Sequence, residues 1–290
     1  MLLKSFIREA GEKLEPVYGK REAAAIVRTL WTSVLGVPAC ISVTEPDFRI
    51  PEDETERLED CLARLCASEP LQYVLGKTEF YGLEYRVSPS VLIPRPETEL
   101  LCRMILQDVV PSLHRDSPRI LDLCTGSGCI AWTLAHYLPD SQVIGADISA
   151  EALEVASSQG IQGNVPDFLL LDVLSSQDNA VSVLGDRKFD LIVSNPPYVR
   201  DSEKKLMHRN VLDYEPAAAL FVPDDDPLLF YRAIAGLAER FLAEDGAGAV
   251  EINEAFGDET ARLFMECGFG DVRVVRDFSD RERFVIFRKP

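Results

Sequence analysis

The sequence predicts an α/β fold in which a mostly parallel, doubly wound sheet follows a small helical domain. Strand-like and helix-like patterns alternate from residue 119 onward, which is typical of a parallel sheet covered by helices. Two strand-like runs at 272–275 and 284–287 have only a loop between them and therefore predict an antiparallel hairpin at the sheet edge. Residues 1–77, by contrast, show the apolar spacing of helices.

The first domain is predicted as a helical bundle over residues 1–77. Apolar residues recur at i, i+3 and i+4 in residues 23–35 and again in 54–67. Aromatic and β-branched residues surround a glycine in residues 78–93, which we interpret as a β-hairpin linker. The remaining residues, 94–290, form the larger domain.

Within the larger domain, Pro96 marks a helix start, because Glu97 and Glu99 follow it in the first turn. Apolar runs beyond this point separate into short strands and longer amphipathic helices. The predicted strands are 119–123, 142–146, 167–171, 189–194 and 248–252, and the predicted helices are 130–138, 150–157, 228–242 and 259–267.

Composition limits the possible function classes. Of the 290 residues, 47% are hydrophobic, yet no apolar run approaches the ~20 residues of a membrane span. The N-terminal segment carries charge too early for a signal peptide and is too acidic for a transit peptide. We therefore expect a cytoplasmic protein without membrane association, and we expect a monomer.

Charge and cysteine content exclude further classes. The net charge is −18, and residues 78–290 hold 35 acidic and 20 basic residues. Such a domain repels a phosphate backbone, so nucleic acid is not an expected direct partner, whereas a basic protein surface is attracted. The seven cysteines contain no C-x-x-C pair, and the three histidines do not cluster with them, so we predict neither a disulfide framework nor a metal site.

The most informative motif is Asn195-Pro196-Pro197-Tyr198, which follows the predicted strand 189–194. Prolines prevent the chain from continuing as a helix and leave backbone carbonyls free to accept hydrogen bonds. The carboxyl end of a strand is also where open α/β sheets bind ligands. The motif therefore suits a planar substrate group that bears an NH2.

A second motif indicates a cofactor site, although its residues alone leave two cofactors open. Gly126 and Gly128 form a turn between a strand and a helix, where a ligand can approach backbone N–H groups. Asp147 ends the next strand, at the position where an acid accepts ribose hydroxyls. This spacing fits both a nicotinamide dinucleotide and S-adenosylmethionine.

Three features favour S-adenosylmethionine. Asp122 precedes the glycine turn, where a carboxylate suits a cationic cofactor better than a pyrophosphate. The terminal antiparallel pair is foreign to a plain dinucleotide fold, and the motif at 195–198 has no evident role in hydride transfer.

Together, these motifs resemble the S-adenosylmethionine-dependent amino-methyltransferases and, more narrowly, the release factor glutamine methyltransferases. The resemblance implies a Rossmann-like class I methyltransferase sheet and transfer of a methyl group to the glutamine of the Gly-Gly-Gln motif of peptide chain release factors, with S-adenosylhomocysteine as product. For the N-terminal bundle, two roles stay open: recognition of the protein substrate, or a cap that only stabilises the larger domain. The residues that carry the resemblance are 69–76, 79–82, 92–99, 195–198, 214–216 and 276–277.

The resemblance also implies roles for individual residues. Asn195 and the Pro196 carbonyl would accept the N–H groups of the substrate amide, and Tyr198 would stack on it. Three places depart from the family pattern: Cys124 and Asn253 stand where glycines are usual, and residues 224–227 stand where a glycine-containing turn is common. The implied catalytic residues are Asn195, Pro196 and Tyr198; the implied substrate contacts are Asn195, Pro196, Pro197 and Tyr198; the implied cofactor contacts are Cys124, Thr125, Gly126, Ser127, Gly128, Asp147, Asp172, Val173 and Asn195.

Three other functions compete with this interpretation. An adenine-N6 methyltransferase acting on nucleic acid shares the Asn-Pro-Pro-Tyr motif, but the acidic charge disfavours it. A nicotinamide oxidoreductase shares the glycine turn. A non-catalytic cofactor-binding protein would result if Cys124 prevented turnover.

Overall fold

A computed structural model describes all 290 residues, and contacts within the chain divide them into two compact units. Unit 1 consists of Met1–Lys77 and His208–Tyr214, and unit 2 consists of Thr78–Met207 and Glu215–Pro290. None of the helices has both the length and the apolar character needed to cross a bilayer.

Unit 1 is built from amphipathic helices, which confirms the predicted helical character of residues 1–77. Leu30, Trp31 and Leu58 are among the apolar side chains that its core buries completely or nearly so. Tyr214 belongs to this unit and donates a hydrogen bond from its hydroxyl to the Ala67 carbonyl at 2.8 Å. The helices in residues 1–77 are α1 (Leu3–Tyr18), α2 (Lys20–Leu35), α3 (Ile41–Thr44), α4 (Glu52–Cys66) and α5 (Leu71–Leu75).

The strands alternate with helices beyond residue 119, as the sequence predicts. The strands are β1 (Lys77–Phe80), β2 (Leu83–Arg86), β3 (Arg119–Leu123), β4 (Gln142–Asp147), β5 (Asp167–Leu170), β6 (Phe189–Ser194), β7 (Val199–Arg200), β8 (Phe221–Val222), β9 (Leu242–Glu251), β10 (Gly270–Arg276) and β11 (Glu282–Arg288). The remaining helices are α6 (Pro96–Met104), α7 (Val110–Ser112), α8 (Cys129–Tyr137), α9 (Ala150–Ser157), α10 (Gln177–Leu184), α11 (Arg209–Leu212), α12 (Leu229–Phe241) and α13 (Gly257–Glu266).

The seven-stranded sheet has the order β10-β11-β9-β6-β3-β4-β5. Strands β3, β4, β5, β6 and β9 run parallel to one another, and β11 pairs antiparallel with both β9 and β10. The predicted α/β class and its terminal antiparallel hairpin are therefore confirmed. Because the five parallel strands share one direction, the residues that follow them meet at one edge of the sheet.

The β1–β2 hairpin packs into the core of unit 2. Phe80 and Tyr85 are both buried there, and their rings meet edge to face with centroids 5.8 Å apart. The Tyr85 hydroxyl donates to the Cys129 carbonyl at 3.2 Å, at the start of α8. The hairpin thus braces the helix that follows the glycine turn.

The structure differs from the sequence prediction in β9, which begins at Leu242 and not near residue 248. Its pairing with β6 advances from Leu242 to Ala247 while β6 advances only from Phe189 to Leu191, so β9 bulges there. The acidic residues and glycine in the bulge resemble a loop in sequence. Helix α10 and the short β7–β8 pair were not predicted either.

Candidate functional site

The glycine turn between β3 and α8 has a left-handed backbone at three positions. The φ angles are 58° at Cys124, 55° at Gly126 and 78° at Gly128. A Cβ at Gly128 would lie only 3.0–3.2 Å from three neighbouring side chains, so glycine is required there on two grounds. Cys124, in contrast, is an L-residue in a conformation that favours glycine.

Asp122, in strand β3 directly before this turn, holds the turn through hydrogen bonds and does not line the cavity described below. Its Oδ2 accepts hydrogen bonds from the Thr125 hydroxyl at 2.5 Å and the Ala131 backbone N–H at 3.1 Å. Its Oδ1 is buried without a partner, and burial raises the pKa of the carboxyl to about 7. Asp122 therefore anchors the turn, and its carboxylate does not reach the cavity.

Asp147 holds the turn from the end of β4. Its Oδ2 accepts the Gly126 N–H at 2.8 Å, and its Oδ1 accepts the Ser149 N–H at 3.0 Å. Burial raises the pKa of this carboxyl, although the N–H groups oppose the shift. Each oxygen keeps a further lone pair for a ligand hydroxyl. Unlike Asp122, Asp147 lines the cavity.

A cavity of about 440 Å³ lies at this edge of the sheet within unit 2, a size typical of cofactor and small-molecule sites. Beyond Asp147, the exposed apolar side chain of Ile148 forms part of its wall. The predicted site residues that line it are Cys124, Thr125, Gly126, Ser127, Asp147, Asp172, Val173, Asn195 and Pro197.

Three predicted site residues do not line the cavity, namely Gly128, Pro196 and Tyr198. The sequence reasoning also missed a wall segment, because residues 92–99 were used only for the family resemblance and a helix start. In the structure, Pro94, Arg95 and Thr98 from this segment face the cavity. Two apolar residues at the start of α12, Leu229 and Phe230, also line the cavity.

The side chain of Asn195 is held in one orientation by neighbours from distant parts of the chain. Its Nδ2 donates to the Thr98 hydroxyl at 3.0 Å, and this hydroxyl donates to Glu251 Oε2 at 2.8 Å. Thr98 and Glu251 are 2% and 1% exposed. The other carboxylate oxygen, Oε1, accepts the Tyr198 hydroxyl at 3.0 Å. Both ends of the Asn-Pro-Pro-Tyr loop are therefore hydrogen-bonded to one carboxylate, directly at Tyr198 and through Thr98 at Asn195.

Burial raises the pKa of Glu251 to about 7. The hydroxyl groups of Thr98 and Tyr198 stabilise its ionised form and oppose this shift, as does the charge of Arg283. The nearby charge of Glu97 acts in the opposite direction. Burial also raises the pKa of the Tyr198 phenol, so this residue stays a hydrogen-bond donor to Glu251.

Asn253, where the resemblance leads one to expect a glycine, also holds the loop at 195–198 in place. Its Nδ2 donates to the Tyr198 carbonyl and to Glu203 Oε2, both at 3.1 Å. Its Oδ1 accepts the Ala255 N–H at 3.0 Å. The asparagine side chain therefore makes hydrogen bonds that a glycine could not make.

An ion pair between the half-buried Arg95 and the buried Glu215 fixes the cavity wall that precedes α6. Arg95 donates to Glu215 Oε1 at 2.6 Å, and the Ile93 N–H donates to the other oxygen of Glu215 at 3.2 Å. The Glu215 side chain is only 1% exposed. Because Pro216 follows directly and lines the cavity, the pair joins two of its walls.

Comparisons with known proteins identify the family. The model of the PrmC N-terminal domain matches residues 6–76, and that of the methyltransferase small domain matches residues 98–216. The release factor glutamine methyltransferase of Bacteroides thetaiotaomicron is 39% identical over 285 residues, which cover 98% of each chain. The chain belongs to the release factor glutamine methyltransferase family. A relative of the same name from Flavobacterium psychrophilum is 36% identical over 286 residues, again 98% of each chain.

The fold of this release factor glutamine methyltransferase family member is shared with more distant proteins. A methyltransferase from Pyrococcus furiosus has a TM-score of 0.50 and is 15% identical, covering 80% of this chain and 98% of that chain. This likeness shows the fold class alone.

Family membership confirms the prediction of S-adenosylmethionine as the cofactor. The residues of the cavity fit this group. No atom lies within 4 Å of a Cβ built on Gly126, so a ligand has space beside the backbone of the turn. Asp147 presents its carboxylate at the same place, and Ile148 offers an apolar surface next to it.

Proposed function

We propose that this protein transfers a methyl group from S-adenosylmethionine to the side-chain nitrogen of the glutamine in the Gly-Gly-Gln motif of peptide chain release factors. The observation that carries this proposal is the match to release factor glutamine methyltransferase over 98% of both chains. The matched length includes unit 1 as well as the sheet domain, so the relationship extends beyond a shared methyltransferase core.

Asn195 and Pro196 are the proposed acceptors for the substrate amide. The cofactor supplies a methyl group that is already activated by a sulfonium, so the protein chiefly has to position the nucleophile. With its Nδ2 on Thr98, Asn195 has Oδ1 left to accept one N–H of the glutamine. The Pro196 carbonyl accepts the second N–H. Together, these contacts place electron density on the nitrogen.

Tyr198 and Pro197 complete the proposed substrate site. The Tyr198 hydroxyl is occupied by Glu251, so its ring is the part available for stacking on the planar amide. Pro197 lines the cavity directly after the two acceptors. A strong general base is not needed, since the proton can leave after the nitrogen has become cationic.

The other predicted residues that line the cavity are the proposed cofactor contacts. The turn from Cys124 to Ser127 would hold the methionine part through its backbone, and Gly128, outside the cavity lining, would shape the end of this turn. Asp147 would accept the ribose hydroxyls. Asp172 and Val173 would lie beside the adenine. Val173 is only 6% exposed and also belongs to the core, so its contact would involve one edge of the side chain.

Mass spectrometry of an unmethylated release factor tests the proposal. The purified factor is incubated with this protein and S-adenosylmethionine, and its Gly-Gly-Gln peptide is then sequenced. We expect one added methyl group on the glutamine, and far less of the methylated peptide after the same time when Asn195→Ala replaces the wild type. Unmodified peptide in a sample in which cofactor binding is verified would reject the proposed substrate.

We further propose that unit 1 recognises the release factor. Cross-linking of the full chain to the factor tests this role, because Lys4, Lys13 and Lys20 are exposed on unit 1. We expect cross-links from these lysines as well as from unit 2. If every cross-link comes from unit 2 lysines such as Lys188, recognition by unit 1 is rejected.

A further inference from the structure

We propose that Thr98 and Glu251 are positioning residues, which determine that the oxygen of the Asn195 amide, and not its nitrogen, faces the acceptor substrate. This inference rests on the proposed function of the site. It follows from the number of protons available in the chain of hydrogen bonds from Asn195 through Thr98 to Glu251.

The hydroxyl of Thr98 has a single proton and gives it to Glu251 Oε2 at 2.8 Å. At a pH well above 7, Glu251 is ionised and has no proton to give back, so the Thr98 oxygen is left as an acceptor. The group 3.0 Å away from it must therefore be a donor. This requirement selects the NH2 of Asn195 and turns Oδ1 away from Thr98.

A rotation of the Asn195 amide by 180° would exchange its oxygen and nitrogen and place an acceptor where a donor is needed. Oδ1 would then face the Thr98 oxygen, whose proton is already committed to Glu251, and two acceptors would meet. Water cannot readily relieve the conflict, because Thr98 is 2% and Glu251 1% exposed. A buried polar group without a hydrogen-bond partner is unfavourable. The flipped amide would also present N–H groups to a substrate NH2 that needs acceptors.

The arrangement is built into the fold. Strands β6 and β9 are parallel neighbours, and Ser194 pairs with Val250, so Asn195, which follows β6, lies beside Glu251, the last residue of β9. Thr98 lies in the first turn of α6 and bridges them. Glu251 Oε1 meanwhile accepts the Tyr198 hydroxyl, so one carboxylate fixes both the first and last residues of the loop.

Two substitutions at Thr98 separate orientation from simple packing. Thr98→Val keeps the shape of the side chain but removes the hydroxyl, whereas Thr98→Ser keeps the hydroxyl and removes a methyl group. A loosened acceptor of this kind is expected to slow methyl transfer by about a hundredfold. We therefore expect a single-turnover rate about a hundredfold lower for Thr98→Val, recovery of most of the rate in Thr98→Ser, and a Kd for S-adenosylmethionine near the wild-type value in both.

A readout independent of activity distinguishes this inference from the proposed function. The side-chain NH2 signals of Asn195 in an NMR spectrum are assigned by their loss in Asn195→Ala. We expect these protons to exchange slowly with water in the wild type and in Thr98→Ser, and faster in Thr98→Val. This difference would support the positioning role even if the wild type did not methylate a release factor.

Glu251→Gln provides a second variant in case Thr98→Val does not fold, which a melting curve establishes. The NH2 of the introduced glutamine can donate to the Thr98 hydroxyl, which can then donate its own proton to Asn195. We therefore expect slower methyl transfer and faster exchange of the Asn195 NH2 protons with water. A wild-type rate together with wild-type amide exchange in either folded variant would overturn the inference.

Discussion

Two loops meet at the carboxyl edge of the sheet, and they are held in place by different means. In the glycine turn, Asp122 and Asp147 bind backbone N–H groups and a hydroxyl from within 21 positions along the chain. In the Asn-Pro-Pro-Tyr loop, prolines shape the backbone, and the side chains are fixed by Thr98 and Glu251 across 97 and 53 positions. The cofactor end thus depends on backbone shape, and the substrate end depends on the orientation of one side chain.

This difference predicts that substitutions at the two ends affect different steps. Substitutions that loosen the glycine turn should weaken cofactor binding, because the backbone groups that contact the ligand would move. Damage to the loop at 195–198 should slow methyl transfer and leave cofactor binding largely intact. The following substitutions test that separation, from the largest expected effect to the smallest.

Asn195→Ala is expected to have the largest effect. It removes the proposed oxygen acceptor, and loss of one such polar group in an active site typically lowers kcat by about 10²–10³-fold. Calorimetry should show a Kd for S-adenosylmethionine within a few-fold of the wild type. Asn179→Ala, on the exposed face of α10, is the matched control. A similar loss of binding and turnover in Asn195→Ala would contradict the separation of the two ends.

Asp147→Asn should weaken cofactor binding by about 10- to 100-fold, the range expected when a charged hydrogen-bond acceptor is lost. The new NH2 would also oppose the N–H of Gly126 or of Ser149 and loosen the turn. Titration calorimetry measures this effect, and Glu154→Gln on the exposed face of α9 is the control. Unchanged affinity would show that the carboxylate does not contact the ligand.

Asp122 should make the protein less stable as the pH rises. Its pKa is about 7 in the folded protein and near 3.8 when unfolded, so the folded state holds the proton more tightly. The resulting stabilisation is complete below about pH 4 and is lost as the pH rises to about 7, with a slope of up to about 1.4 kcal/mol per pH unit.

Denaturant unfolding of Asp122→Asn at several pH values tests this. Glu251 contributes in the same direction, so the comparison uses the difference between wild type and variant. The free energy of unfolding of the wild type minus that of Asp122→Asn should become smaller as the pH rises from about 4 to about 7, because only the wild type loses this stabilisation. A constant difference would show that Asp122 is ionised in both states.

Cys124→Gly should have the smallest effect. Relief of the left-handed strain at φ 58° gains about 1–2 kcal/mol, and the extra freedom of glycine in the unfolded chain costs about 0.5–1 kcal/mol. We expect the free energy of unfolding to rise by about 1 kcal/mol or less in a denaturant titration. Cys267→Ser, at an exposed thiol, serves as the control. A less stable Cys124→Gly variant would show that burial of the thiol outweighs the strain.

The sequence could predict the cofactor end because its information is local. The run 119–123 has the same bounds as β3, since an apolar stretch before a glycine turn has few alternatives. Asp147 follows the next strand at a regular spacing, and it does line the cavity. The role of Asp122 in holding the turn was not predicted, because spacing along a strand does not show whether a carboxylate faces a ligand or the neighbouring backbone.

The support of the substrate end could not be predicted in the same way. Thr98 and Glu251 are 153 positions apart, and only the pairing of β6 with β9 brings Glu251 beside Asn195. A threonine in the first turn of a helix and a glutamate at the end of a strand are unremarkable in sequence. The bulge in β9 was missed for a related reason, because tertiary pairing overrides its loop-like composition.

A structure of the protein with S-adenosylhomocysteine and a Gly-Gly-Gln peptide would test the central claim most directly. The account predicts that Asn195 Oδ1 accepts a hydrogen bond from the glutamine NH2 while Nδ2 remains on Thr98. It would be contradicted by a glutamine amide held by other residues, or by an Asn195 amide turned so that its nitrogen faces the peptide.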